Sequence, residues 1–258
     1  MKKEESRFAD SLLFEGMTSI NAVIRADKEG ISDRKILSVM IDGSKKRSKA
    51  REINFLKRAA EELSFDLIYV SQSEISAVTT GTSHGGIVAL CSERTVPPLD
   101  GVTLAKDGFY VMIEGIEDPY NFGYAIRSIY AAGADGLIVS PRNWLSAAGV
   151  VCRSSAGASE LIPAYMSGAE GAIKKFKREG YKCFAAGIRD SVSAYDADLS
   201  KPLFLTVGGE KRGISSKILA ECDGIIRLDY GREFKASLSA ASAASILAYE
   251  VFRQNKRS

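Results

Sequence analysis

Three clusters of residues in this 258-residue chain have the types and spacing to do chemistry. The first, DPYNFGYAIRS, sets Asn121, Gly123 and Arg127 at N-x-G-x-x-x-R. Residues four apart share a helix face, so Gly123 leaves room beside the guanidinium of Arg127, whose planar fork of donors suits a phosphate or a developing oxyanion. The same spacing allows Arg127 to pair with Glu114 or Asp118 and merely tie a helix to a strand. The second cluster, LFLTVGGEKRGIS, places Gly208, Gly209 and Gly213 around Glu210 at the end of an apolar run. Bare backbone there can approach a ligand closely, or simply make a tight turn. Neither the G-K-[ST] ending of a phosphate loop nor the G-x-G-x-x-G of a dinucleotide fold is present. In the third, KASLSAASAAS, residues 236–245 are Ala and Ser apart from Leu238, as in a tightly packed core helix or one that lets a ligand come near.

These clusters need elements to position them. Apolar runs at 109–113, 136–139, 183–186, 203–207 and 225–228 alternate with helical patterns, which favours a parallel sheet covered on both faces. Asp118 and Pro119 predict a helix start; Phe122, Ala125, Ile126, Ile129 and Tyr130 share one face, and Gly133 is the stop. Asn121 and Gly123 then sit in the first turn, beside the carboxyl end of a strand, where open α/β sheets bind ligands. The third cluster predicts a helix from about residue 236. Upstream, strands at 36–41, 65–70 and 86–91 alternate with helical spacing at Ile53, Leu56, Ala59, Ala60 and Leu63 and a short helix at 73–78. The pair Pro97–Pro98 breaks both helix and strand, so the boundary falls there, between a domain of residues 1–97 and one of residues 98–258.

A net charge of +3 permits a nucleic-acid partner without demanding one. Cys91, Cys152, Cys183 and Cys222 form no CxxC pair and lack Asp or His companions at ligand spacing, so they read as reduced, mostly buried thiols and no metal is expected. His84, a lone histidine, reads as a structural loop residue. The first ten residues mix charges of both signs with no apolar core behind them, and no run reaches membrane-spanning length. The expectation is a cytoplasmic protein without membrane association.

Taken in this order and spacing, the three clusters resemble the three motifs of the SpoU/TrmH group of the SPOUT class of RNA methyltransferases. DPYNFGYAIRS matches the first motif and VGGEKRGI the second, and IIRLDYGREFKASLS stands at the third. SSAGASE at 154–160 resembles the intervening Ser-Gly-Ala segment. The likeness spans 109–252. Ahead of it, SINAVIRADKEG and SHGGIVALCSE are similar to the small ribosomal-protein-like α/β RNA-binding domain that often precedes this catalytic domain.

The resemblance implies a parallel sheet with a C-terminal trefoil knot, in which S-adenosylmethionine is held by Thr206, Val207, Gly208, Gly209, Ile226, Leu228 and Leu238. It implies a homodimer with active sites formed across the interface. The implied reaction is methylation of a ribose 2′-hydroxyl in RNA, with ribosomal RNA favoured over transfer RNA by the two-domain build. Asn121, Arg127, Glu210, Ser237 and Ser239 are the implied catalytic set. Arg127 matches the family's catalytic arginine, which has been proposed as the base; a guanidinium pKa above about 12 makes a phosphate-holding, oxyanion-stabilising role an equal alternative. The third motif departs from the usual pattern: Ser239 stands where Asn is usual, Arg227 where proline is common, and the loop is longer. A hydroxyl there lacks the second donor of an amide. Lys45, Lys46, Arg47, Arg142, Arg153, Arg232 and Lys235 are the basic residues expected to meet RNA phosphates. The alternative is a catalytically inactive RNA-binding paralogue, against which the joint retention of Asn121, Arg127 and Glu210 speaks.

Overall fold

The computed structural model describes residues 12–79, 84–116, 118–141, 143–209 and 213–256. In chain order its elements are β1 (Leu13–Glu15), α1 (Gly16–Lys28), β2 (Ile36–Asp42), α2 (Ala50–Leu63), β3 (Asp66–Val70), α3 (Gln72–Val78) and β4 (Ile87–Cys91). There follow β5 (Phe109–Glu114), α4 (Pro119–Ala131), β6 (Gly136–Val139), α5 (Ala148–Ser154), α6 (Ala158–Leu161), β7 (Ala164–Met166) and α7 (Ala169–Arg178). The chain continues through β8 (Lys182–Ala186), β9 (Val192–Ser193), β10 (Leu203–Gly208), α8 (Ser216–Glu221), β11 (Gly224–Arg227) and α9 (Ala240–Asn255). Two compact units result: residues up to Thr95 together with Trp144–Leu161, and Val96–Asn143 together with Ile162–Ser258.

In the first unit the strand order is β1-β4-β2-β3, with β4 antiparallel to β1 and β2, and β2 parallel to β3. Its core gathers Phe14, Ile20, Val23, Val39, Ile41, Ile53, Leu56 and Ala89, and also Ala148 and Cys152 of α5. The division at residue 97 assigned 144–161 to the second domain, yet this segment helps close the first unit's core. Gly157 lets it pass α1: at φ +90° a Cβ there would stand 2.6 Å from the Cβ of Ala22. Arg34 then locks it in place, its Nε donating to Glu160 Oε2 at 3.0 Å with both side chains buried. The cysteines are free thiols as expected, three of them buried and Cys222 half-buried.

The second unit is a parallel sheet in the order β7-β6-β5-β10-β8-β11-β9. Its central strands are continuous apolar runs because both faces are covered. Phe204 of β10 stacks on Phe176 of α7 with ring centroids 4.2 Å apart, while α9 packs against α4 and β10. The strand order fixes where a ligand belongs. The chain leaves β5 through α4 to β6 on one side, but leaves β10 through α8 toward β11 on the other, so the crevice at the carboxyl ends of β5 and β10 is a topological switch point. One sequence expectation is corrected: the small-residue helix begins at Ala240 and not near 236, because the hydroxyl of Ser239 accepts a hydrogen bond from Ser242 N and caps it. Among the described residues no helix is long and apolar enough to cross a membrane.

Candidate active site

The helix α4 starts where the sequence requires. Asp118 Oδ2 accepts a hydrogen bond from Asn121 N at 2.8 Å, and Pro119 occupies the first helical position. Phe122, Ala125, Ile126 and Ile129 are buried. Gly133, at φ +84°, closes the helix with Gly133 N donating to Tyr130 O and Ala134 N donating to Ile129 O. Asn121, half-buried, thus sits in the first turn at the switch point. Arg127 lies six residues on, about 9 Å along the axis. It is exposed, and among the described residues its guanidinium has no ion pair or hydrogen bond, so it does not tie the helix to Glu114 or Asp118.

The carboxyl end of β10 meets that of β5 across bare backbone. Their pairing ends at Gly208 opposite Glu114, and a Cβ on Gly209 would fall 1.9 Å from the carbonyl oxygen of Gly115. A Cβ on Gly208 would fall 2.8 Å from Ile214 N, and Gly213 N donates to Gly209 O at 3.0 Å. The glycines therefore first let the chain fold back on itself, a role the sequence could not separate from ligand access. Val207 is buried, and Thr206 is buried with its Oγ1 lacking any hydrogen-bond partner among the described residues. Strand β8 separates β10 from β11; Thr206 and Ile225 both align with Ala185, roughly 10 Å apart by the spacing of two strands. Ile226 is fully buried, its carbonyl accepting from Gly187 N, and Leu228 is half-buried just past β11.

Beyond β11 the chain runs through residues 228–239 into α9. Leu238 is half-buried and its N–H donates to Tyr230 Oη at 3.1 Å. Ser237 is exposed, and Ser239 has its hydroxyl engaged as the cap of α9. Sequence reasoning missed Tyr230, which pins this loop; the signal available was an aromatic residue just past a strand end. Hydrogen bonding to Ser193 and then to Arg227 holds the Asp229 carboxyl below the usual carboxylate range. Glu210 and Arg142 lie outside the described residues. Thus Asn121, Thr206, Val207, Gly208 and Gly209 gather at the switch point, while Ile226 lies in β11 and Leu228, Ser237, Leu238 and Ser239 in the connection that follows it.

Residues 108–249, more than half of the chain, match the sequence profile of the SpoU rRNA Methylase family. The chain belongs to that family. It is accordingly an RNA methyltransferase, and S-adenosylmethionine is its methyl donor. The chain is 28% identical over 240 residues to a protein named TrmH family tRNA/rRNA methyltransferase YacO of Bacillus subtilis (strain 168), covering 91% of this chain and 93% of that protein. Among solved structures, an S-adenosylmethionine-bound rRNA methyltransferase from Sinorhizobium meliloti superposes with a TM-score of 0.79 at 24% identity, covering 98% of this chain and 90% of that one. An RNA 2′-O ribose methyltransferase gives a TM-score of 0.78 at 21% identity, covering 98% and 95%. These likenesses establish a SpoU-type α/β fold with a parallel sheet.

The residues present suit the SpoU family's methyl donor. A nucleoside bearing a sulfonium and an amino-acid tail needs apolar walls with a few polar contacts. Leu228 and Leu238 supply apolar surface, and the unpartnered hydroxyl of Thr206 supplies a buried polar atom for a bound group to satisfy. No group of three or more His, Cys, Asp or Glu side chains that could hold a metal occurs among the described residues.

Proposed function

We propose that the chain methylates a ribose 2′-hydroxyl of RNA, in ribosomal rather than transfer RNA, as a homodimer whose C-terminal segment forms a trefoil knot. The observation that carries this reading is Arg127, an exposed guanidinium without a partner among the described residues, on the helix that starts at the switch point. The ribosomal substrate is favoured by the name of the matching family, and the ribose position by the name of a structural neighbour.

S-adenosylmethionine supplies an electrophilic methyl group. Thr206, Val207, Gly208 and Gly209, with Ile226, Leu228 and Leu238, hold that donor. A ribose hydroxyl is a poor nucleophile at neutral pH, so its oxygen must be stabilised as its proton passes to water. Arg127 holds the adjoining phosphate and stabilises the oxyanion, since a neutral guanidine is costly. Asn121 and Glu210 position the ribose. Ser237 offers an exposed hydroxyl, and Ser239, while capping α9, keeps acceptor capacity for a ribose contact.

Residues 1–97 form the core of an RNA substrate-binding domain and residues 98–258 the methyltransferase domain, with 144–161 packed into the first unit. That unit contains a cleft of about 300 Å³ lined by the first turn of α1 (Gly16, Met17, Thr18, Ser19) with Lys49, His84 and Arg153. Glu15 also lines it and pairs with Arg153 at 2.7 Å, while Lys49 pairs with Glu52 at 2.9 Å, so phosphate would have to compete with carboxylates for these cations. His84 Nδ1 accepts a hydrogen bond from Gly86 N, consistent with a structural loop role.

The test is transfer of labelled methyl from S-adenosylmethionine to total cellular RNA of a strain lacking the gene, followed by mapping. Arg127→Ala is expected to cut transfer by about 100-fold or more while leaving donor affinity unchanged. Undiminished turnover would refute the role of Arg127, incorporation into transfer RNA would refute the ribosomal assignment, and donor binding without any incorporation by the natural chain would favour the inactive paralogue.

A further inference from the structure

The connection from β11 to α9 is where this chain departs from the usual third motif, and it sets the aromatic residues Tyr230 and Phe234 among two basic residues, Arg232 and Lys235, and one acid, Glu233. Residues 229–237 are all exposed. Phe234 is 57% exposed, an outward placement that forfeits the burial free energy of a phenyl ring. Tyr230 is 39% exposed, and its ring meets that of Phe234 edge to face, with centroids 5.9 Å apart and planes at 61°. The pair is not a floppy tip. Tyr230 Oη accepts the hydrogen bond from Leu238 N at 3.1 Å, which ties the rings to the stretch that carries Ser237 and Ser239. Arg227 is neutralised by Asp229 at 2.9 Å, whereas Arg232 and Lys235 have no ion pair among the described residues.

We propose that residues 228–239 form a base-stacking platform, on which Phe234, braced by Tyr230, receives an unpaired nucleobase of the substrate RNA while Arg232 and Lys235 meet its flanking phosphates. The proposal rests on the reading of the chain as an RNA methyltransferase and narrows its substrate to an unpaired stretch: a loop, bulge or single strand. Aromatic faces accept any base, but only one whose own face is uncovered, and inside an A-form duplex every base face is covered by its neighbours. A ring pair fixed before binding loses little freedom on docking. Unpaired cations on either side of Phe234 supply the complementary charge for a polyanion.

The experiment uses the full chain and a labelled, unstructured 12-nucleotide RNA of mixed sequence, alone and annealed to its complement, with binding followed by anisotropy. The single strand is expected to bind more tightly than the duplex. Phe234→Ala should weaken single-strand binding about tenfold, and Phe234→Trp should keep it. Duplex binding and S-adenosylmethionine affinity should not change in either variant. Replacing Arg232 and Lys235 by Ala should make the salt dependence shallower, by about 0.7 in log–log slope for each charge removed. Unchanged single-strand binding by Phe234→Ala overturns the platform, and so does a parallel loss of donor affinity, which would make the ring a cover for the donor. If the natural chain methylates RNA while Phe234→Ala behaves like it, only the platform fails; if the natural chain neither binds RNA nor transfers methyl, the methyltransferase reading fails with it.

Discussion

Thr206 carries an unusual burden for a central strand residue, a fully buried hydroxyl with no partner among the described residues. Leaving such a group unsatisfied costs about 1–3 kcal/mol, and a bound molecule that pairs with it recovers part of that cost as affinity. Valine has the same shape without the oxygen. Thr206→Val is therefore expected to stabilise the ligand-free protein by about 1 kcal/mol in thermal or urea unfolding, and to weaken S-adenosylmethionine binding roughly fivefold by calorimetry. Opposite signs for stability and affinity are the signature of a hydroxyl kept for a ligand; unaltered donor affinity would remove Thr206 from the binding set. Gly209 teaches the converse. Its missing side chain reads in sequence as either access for a ligand or a tight turn, and the space is taken by the carbonyl of Gly115.

At the scale of elements, the pair Arg34–Glu160 decides how the segment 144–161 is placed. Both side chains are buried; Arg34 also donates from Nη1 to Ser92 O at 2.5 Å and lies over the ring of Phe14 at 5.0 Å. Arg94 adds a hydrogen bond from Nη1 to Ser159 O. Removing one member of a buried pair strands the other charge, at a cost of about 3–5 kcal/mol. Glu160→Leu should destabilise the first unit by that amount, and Arg34→Met combined with Glu160→Leu should recover most of it. Trp144, the chain's single tryptophan, lies in this unit and makes urea unfolding readable by fluorescence; equal stability of the single and double variants would rule out the interlock. This segment shows where sequence reading ran out. The helix α4 was legible because its cap, its proline and its terminal glycine are local signals, and the sheet was legible through repeated apolar runs. The helices α5 and α6 span only seven and four residues, too few for a period to show, and Glu160 meets a partner 126 positions away. The start of α9 was displaced for a related reason: in a run of Ala and Ser any serine could be the cap, and only the hydroxyl geometry of Ser239 picks one.

For the whole molecule, two packed helices leave apolar surface that one copy of the chain does not cover. On α4, Tyr120 and Tyr124 are exposed four residues apart, and on α9 Ile246, Tyr249 and Phe252 are exposed at threefold spacing, with the last two rings 6.2 Å apart. Large exposed apolar side chains gathered on adjoining elements mark an interaction surface, whereas scattered ones do not. Arg127 is exposed on this same α4, so a second copy seated here would stand close to the arginine that the proposed chemistry requires. Light scattering should accordingly find a dimer for the natural chain, and Ile246→Glu with Tyr249→Glu should give a folded monomer that has lost transfer, because opposing carboxylates in a desolvated contact are costly. Whether the sites are shared is decided by mixing. Arg127→Ala keeps its donor-binding residues, and Leu238→Asp keeps its arginine; neither alone should transfer methyl. If one copy supplies Arg127 to the donor held by the other, co-refolding the two variants restores part of the activity, since a mixed dimer contains one site with both intact. Failure to restore activity in demonstrated mixed dimers would confine each site to a single copy, and full activity in the monomeric variant would leave the apolar face without a catalytic role.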